Sequence, residues 1–244
     1  MGEQRDLEGI SALVTGATSG IGRAAAEELA RHGAEVIVHG RDTVRGSAVV
    51  DHITAEGGKA RLVAADLSDP AQLDDLAGQA GEVDVLVNNA GISWFGPTGE
   101  LDVATFDQLF AANVRAPFFL VAALAPRMAT RGRGSIINVG SQASQIGMPG
   151  GAAYGATKGA LASMTRSWAA EFSPAGVRVN TVVSGPVYTP IQSAEQSEAV
   201  GATTIMARVA QPDEIASVIV FLASPRASYI TGAAIAVDGG RTAI

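Results

Sequence analysis

Short aliphatic runs alternate along this chain with longer stretches in which apolar residues recur every three or four positions. Three such pairs open it: SALVTG before IGRAAAEELARHG, AEVIVHG before TVRGSAVVDHITAEG, and ARLVAADL before PAQLDDLAGQAG. The first member of each pair reads as a buried strand and the second as an amphipathic helix. The scheme continues with VDVLVNN, SIINVG, VRVNTVV and AAIAVD as strands. Between them lie a helix opened by Asp102, carrying Phe106, Phe110, Leu120 and Leu124 and expected to bend near Pro117, then the YGATK segment, then PDEIASVIVFLA with Pro212 in its first turn. About seven strands result. Strand and helix alternating at this spacing specify an α/β, doubly wound parallel sheet with helices on both faces. No linker, repeat or break in composition divides the chain, so one domain spanning 1–244 is expected.

Composition narrows the possible functions. Hydrophobic residues make up 47% of the chain and charged residues 17%, which predicts a well-buried globule. The formal net charge is −7 and basic residues are not clustered, so neither a nucleic-acid surface nor an anionic-membrane patch is indicated. With no cysteine, thiolate chemistry and disulfides are excluded, and three scattered histidines offer no metal cage. The longest apolar run, Phe118 to Ala125, is too short for a membrane span, and the N-terminus lacks a signal-peptide core. A soluble cytoplasmic protein is the expectation.

Two stretches carry candidate chemistry. TGATSGIG lies between the first strand and the first helix, where Gly16 suits a sharp turn, Gly20 a close approach of backbone to a pyrophosphate, and Gly22 close packing of the helix. The helix N-terminus that follows offers free N–H groups to phosphates. The spacing is G-x-x-x-G-x-G, which departs from the generic dinucleotide fingerprint, and glycines at such turns also serve purely steric ends. In YGATK, Tyr154 and Lys158 are four residues apart and share one face of a helix. Taken alone, the pair fits an ordinary amphipathic helix edge, where such pairs are common, more readily than a shared pocket.

The sequence nevertheless resembles the short-chain dehydrogenase/reductase family from Ser11 to Gly240. It carries TGxxxGIG, the DL of Asp66 and Leu67, NNAG from Asn88 to Gly91, a helical Asn113, Ser141 thirteen residues before Tyr154, YxxxK, and a terminal VDGG, all in order. The resemblance implies a Rossmann-fold oxidoreductase that interconverts a carbonyl and a secondary alcohol. It implies Tyr154 as acid/base, Lys158 lowering its pKa and holding the nicotinamide ribose, Ser141 binding the substrate oxygen, and Asn113 in a water relay behind Lys158. The implied cofactor groove is formed by Gly16, Thr18, Ser19, Gly20, Ile21 and Gly22, by Gly40 and Arg41, by Asp66 and Leu67, by Asn89, Ala90 and Gly91, and by Gly185, Val187 and Thr189, with Tyr154 and Lys158 at the nicotinamide end. A homotetramer is also implied.

Cofactor choice is read at the end of AEVIVHGRD. An acid there would accept from a ribose 2′-OH, whereas a cation would pair with a 2′-phosphate. Gly40 stands at the acid's position and Arg41 follows, which favours NADP(H). Asp42, one residue on, keeps NAD(H) open. Ser184-Gly185 replaces the family's Pro-Gly after the sixth strand, leaving that loop's stiffness in question. Trp94 and Phe95, with Ser93, are expected substrate walls, together with Gln142, Ile146 and Tyr188. A lid covering about 191–207 completes the pocket, and the expected substrate is a small ketone or secondary alcohol. Two other readings stay open: a nucleotide-sensing protein without chemistry, and a relative of halohydrin dehalogenases. The presence of Ser141, Tyr154 and Lys158 speaks against the first, and Lys158 with the intact glycine turn against the second.

Overall fold

In the computed structural model, which describes residues 5–188 and 193–244, seven parallel strands form one sheet. They are β1 (Ser11–Val14), β2 (Glu35–Gly40), β3 (Lys59–Ala64), β4 (Val85–Asn88), β5 (Gly134–Ser141), β6 (Val177–Ser184) and β7 (Ala234–Val237). Their order is β3-β2-β1-β4-β5-β6-β7. Helices α1 (Gly20–Arg31), α2 (Thr43–Ala55) and α3 (Pro70–Ala80) join the first strands. Val103–Phe110 (α4) and Ala116–Thr130 (α5) follow β4, and α6 (Ala152–Phe172) follows β5. The C-terminal part adds α7 (Ala194–Gly201) and α8 (Pro212–Ala223).

Alternation along each strand feeds two cores. Ala12 and Val14 of β1, Val85 and Val87 of β4, and Ile137 and Val139 of β5 face one way and pack with Leu29 of α1, Ile53 of α2 and Ile219 of α8. Leu13, Leu86 and Ile136 face the other way and pack with Leu76 of α3, Leu124 of α5 and Leu161 of α6. Period-two alternation between two apolar layers is the reason these strands read as nearly continuous hydrophobic runs.

The expected bend near Pro117 lies elsewhere. Residues Val103 to Thr130 form one continuous helical rod interrupted by a π turn at Ala111–Arg115, in which Ala116 N–H donates to Ala111 O. Pro117 has no N–H to return to the carbonyl of Asn113, and a widened turn is the way a helix absorbs that loss without breaking. This rod is long and apolar enough in composition to cross a bilayer, but Leu109, Leu120, Val121, Leu124 and Met128 are buried.

The direction in which the sheet is wound reverses at β1, from which β2 and β3 lie on one side and β4 to β7 on the other. In open α/β sheets the crevice at the carboxyl ends of the strands flanking such a point receives ligands. Every candidate residue named above among those described sits at that edge or on a helix facing it, apart from those reported below.

Candidate active site

Thr15 and Asn89 knit the first βα turn to the end of β4. Asn89 N–H and Ala90 N–H both donate to Thr15 Oγ1 at 3.0 Å, and Asn89 Nδ2 donates to the Thr15 carbonyl at 2.9 Å. Gly16 takes φ +64°, and a β-carbon there would stand 2.9 Å from Ala90 Cα. Gly22 is equally constrained, because a β-carbon would fall 2.3 Å from Gly16 O. Gly20 differs from both: its φ is +54° and nothing occupies the space its side chain would take. Ser19 caps α1 without spending its hydroxyl on the helix. The turn therefore presents bare backbone and the N-terminus of α1 to an open groove, a cradle that suits a pyrophosphate.

That groove is a cleft of about 620 Å³ lined by Thr18, Ser19, Gly20 and Ile21, by His39, Gly40 and Arg41, by Asp66 and Leu67, and by Asn89, Ala90, Gly91, Val187 and Tyr188. His39, which the sequence reading passed over, holds its floor together. Gly16 N–H donates to Nδ1 at 3.3 Å, and Nε2 lies 3.1 Å from Ala65 O, so the neutral ring carries its proton on Nε2. Burial lowers its pKa to about 4. Its signal was a histidine near the end of an otherwise apolar strand.

At the adenosine end, Arg41 is exposed and 3.9 Å from the carboxylate of Asp66. Asp66 closes its own turn by accepting from the N–H and hydroxyl of Ser68. Asp42 is committed elsewhere: it caps α2 through Arg45 N–H at 3.0 Å and accepts from Arg45 Nε at 2.8 Å.

At the other end Ser141, Tyr154 and Lys158 line one cavity of about 210 Å³ with Asn89, Gly91, Ile92, Ser184 and Gly185. Ser141 ends β5, and the short turn after it packs directly on α6, since a β-carbon on Gly155 would meet Ala143 O at 2.6 Å. The small residue beside Tyr154 thus brings the serine to the helix. Burial pushes the pKa of the Tyr154 phenol up, and the neighbouring Ser141 hydroxyl partly offsets that push. The ring of Phe95 leans on Tyr154 with centroids 5.5 Å apart.

Lys158 is buried. Its Nζ donates to the Val139 carbonyl at 2.9 Å and lies 5.9 Å from the centre of the Tyr154 ring. Desolvation lowers its pKa to about 8. In the protein alone burial dominates and the phenol is raised, where the resemblance implied a lowering by Lys158, whose ammonium group is turned to the Val139 carbonyl. Asn113, on the π turn, clamps Ile92 by accepting from its N–H at 2.9 Å and donating to its carbonyl at 2.8 Å, and it donates to Thr157 Oγ1 at 3.0 Å.

Several expected substrate walls lie apart from this cavity. Trp94 folds back over Gly96, whose bare α-carbon admits the indole, and faces an apolar groove of about 460 Å³ with Leu101, Val103, Phe106 and Phe110. Tyr188 stands in the dinucleotide cleft. Gln142 is buried, with its Oε1 unpartnered, and Ile146 is half-buried outside both cavities. Gly185 lacks a side chain because Asp238 fills the space behind it, with Cα 2.4 Å from where a β-carbon would be. Thr189 lies outside the described residues. The loop after β6 is held despite Ser184: Tyr188 N–H donates to Ala210 O and Ala210 N–H to Pro186 O, both at 2.8 Å, around a Val187–Ala210 bridge.

A parallel sheet with a glycine cradle at its switch point and a Ser-Tyr-Lys cavity beside it is the architecture of a nucleotide-dependent oxidoreductase. A family model described as enoyl-(acyl carrier protein) reductase matches residues 16–242. Gluconate 5-dehydrogenase of Gluconobacter oxydans is 37% identical over 97% of this chain and 96% of its own. L-rhamnose 1-dehydrogenase (NAD(P)+) of a Sphingomonas species is 38% identical over 96% of each, and cyclopentanol dehydrogenase of Comamonas is 34% identical over 95% of this chain and 96% of its own. Among solved structures, one bearing the name short chain dehydrogenase/reductase family protein is 51% identical with a TM-score of 0.91, covering 98% of this chain and 100% of its own. A gluconate 5-dehydrogenase from Burkholderia cenocepacia, in complex with NADP and tartrate, is 31% identical with a TM-score of 0.91, covering 99% and 98%. The chain belongs to the short-chain dehydrogenase/reductase family. It is an NAD(P)-dependent oxidoreductase acting on CH–OH and C=O groups.

Proposed function

We propose that the protein is an NADP(H)-dependent carbonyl reductase and secondary-alcohol dehydrogenase in which Tyr154 is the acid/base. The observation that carries this reading is the convergence of Ser141, Tyr154 and Lys158 on one small cavity that shares Asn89, Gly91 and Ile92 with the dinucleotide cleft. When bound, the nicotinamide supplies or accepts the hydride. Tyr154 gives its phenolic proton to the carbonyl oxygen in reduction and takes it back in oxidation. Ser141 positions that oxygen beside the phenol by donating its one hydroxyl proton to it in a hydrogen bond. Lys158 holds the nicotinamide ribose and keeps positive charge near the phenol, and Asn113 fixes the Ile92 backbone and α6 relative to each other behind it. The glycine turn and the start of α1 bind the pyrophosphate.

Arg41 supports NADP(H). It is the exposed cation at the end of β2, with only a long contact to Asp66, so it is free to meet a 2′-phosphate. Asp42, which kept NAD(H) in play, is spent on the cap of α2 and on Arg45. For the substrate, Lys158 is the only cation among the described residues lining the small cavity, and it is bonded to Val139. Among the described residues a carboxylate such as that of gluconate has no partner there, so the substrate is an uncharged ketone or secondary alcohol. The segment of about 191–207, with α7 at its centre, acts as the lid. The working enzyme is a cytoplasmic homotetramer.

The test is initial rates with NADPH and NADH over a panel of uncharged and acidic ketones, for the wild type, Arg41→Ala and Tyr154→Phe. A charge-assisted contact to Arg41 is worth about 1.5–3 kcal/mol, so NADPH should lead in kcat/KM by roughly ten- to a hundredfold, and Arg41→Ala should erase that lead. Tyr154→Phe should retain fold and NADPH affinity while kcat falls about 10²- to 10⁴-fold. Wild-type preference for NADH would overturn the cofactor assignment, and full turnover by Tyr154→Phe would overturn the acid/base.

A further inference from the structure

Gly40 is a glycine for an unusual reason. Its φ lies outside the left-handed region, it sits in regular parallel pairing with Ala64 on β3, and its backbone would accept any side chain. What forbids one is a neighbour: a β-carbon at Gly40 would lie 2.4 Å from Thr18 Cγ2, against 3.3 Å from Thr18 Oγ1 and 3.5 Å from Thr18 Cβ. The obstacle is a single methyl group. The turn that carries it cannot drift away, because Ala17 N–H donates to His39 O at 2.8 Å and Gly16 N–H to His39 Nδ1 at 3.3 Å. His39 thus pins the turn to the strand on the residue just before Gly40.

We propose that Thr18 is a specificity-determining residue, whose γ-methyl occupies the space a side chain at position 40 requires and so keeps an acidic group away from the 2′ position of the adenosine ribose. The inference rests on the NADP(H) reading above and deepens it: preference is set jointly by the cation at 41 and by the methyl at 18 that reserves its surroundings. An acid introduced at position 40 can serve the 2′-OH of NAD(H) only when that methyl is gone. Thr18→Ser is the minimal release, since it deletes Cγ2 and keeps the hydroxyl.

The experiment is a cycle of four proteins: wild type, Gly40→Asp, Thr18→Ser and the double variant. Tm of the cofactor-free protein and the Kd of NADH and NADPH by fluorescence titration are read for each. Overpacking of this kind predicts that Gly40→Asp alone lowers Tm by about 3–10 °C and weakens both cofactors. In the Thr18→Ser background the same substitution should cost little in Tm and should bind NADH about ten- to a hundredfold more tightly than Gly40→Asp alone. A parallel pair, Gly40→Ala with and without Thr18→Ser, reads the steric component by Tm even if the aspartate prevents folding. Equal Tm losses with and without Thr18→Ser for both substitutions at position 40, or NADH binding by Gly40→Asp as tight as by the double variant, would overturn the role of Thr18. Failure of the NADP(H) reading shows separately, as a wild type that prefers NADH, while the Tm coupling between positions 18 and 40 is still measured.

Discussion

Lys158 illustrates how one buried side chain sets a pH dependence. Desolvation brings its pKa from the ordinary lysine value to about 8, so the folded protein gives up that proton well before the unfolded chain does. Between about pH 8 and 10.5 the unfolded state binds more protons here, and this residue's contribution to stability rises with pH. The proposed role of Lys158 runs the other way, because the charge assigned to the ribose is lost over the same range. NADPH affinity should fall above about pH 8 in wild type, and in Lys158→Arg, whose guanidinium does not titrate there, that limb should vanish even if affinity is lower throughout. A Kd–pH profile identical in both proteins would show that Lys158 does not govern binding. The Tyr-Lys spacing was legible in the sequence because i,i+4 residues share a helix face. The direction of the Tyr154 shift was not, because it depends on how deeply the fold buries the phenol. Trp94 and Tyr188 were placed with the substrate by nearness in sequence, and their side chains go to other cavities for want of any local rule that fixes a loop residue's direction.

The π turn at Ala111–Arg115 is where element-level structure meets the site. One extra residue in a turn changes the helical period too little to show in a pattern of apolar positions, so the sequence suggested only an irregularity at Pro117. The structure places it just before the proline, with Asn113 on it. From there the side chain makes three hydrogen bonds, one buried and two partly buried, that tie the chain after β4 to the helix carrying Tyr154 and Lys158. Asn113→Ala leaves Ile92 N–H, Ile92 O and Thr157 Oγ1 without this partner. A loss of about 2–4 kcal/mol in stability is expected, together with a lower kcat. Chemical denaturation and steady-state kinetics would check it, and a loss below about 0.5 kcal/mol would show that the clamp is dispensable.

At the scale of the molecule, the alternation of strand and helix was enough to give seven parallel strands and helices on both faces, because the central strands had to be apolar on two sides. What one chain cannot bury itself is a different matter. Val103, Phe106, Phe118 and Phe119 are exposed along the α4–α5 rod, and the groove containing Phe106, Phe110 and Trp94 is almost wholly apolar. Contiguous apolar surface of this kind marks an interface, which fits the proposed homotetramer. Phe106→Glu should therefore yield smaller species by light scattering at micromolar concentration, with the wild type at the mass of four chains. A monomer mass for the wild type would rule the assembly out.

The clip between Pro186–Tyr188 and Ala210 has a consequence for how such a protein can diversify. The segment between β6 and α8 departs and returns through nearly one point, where Pro186–Tyr188 and Ala210 are already hydrogen-bonded to each other. For a loop whose ends are fixed together, added length costs only logarithmically, about 0.6 kcal/mol for each doubling. Thr204 is buried and Met206 N–H donates to Gly239 O, so the end of the segment is tied to the C-terminal turn, and among the described residues the stretch around α7 is where length can change with little penalty to the sheet beneath. The clip is thus a fixed part, and the proposed lid ahead of Thr204 a cassette.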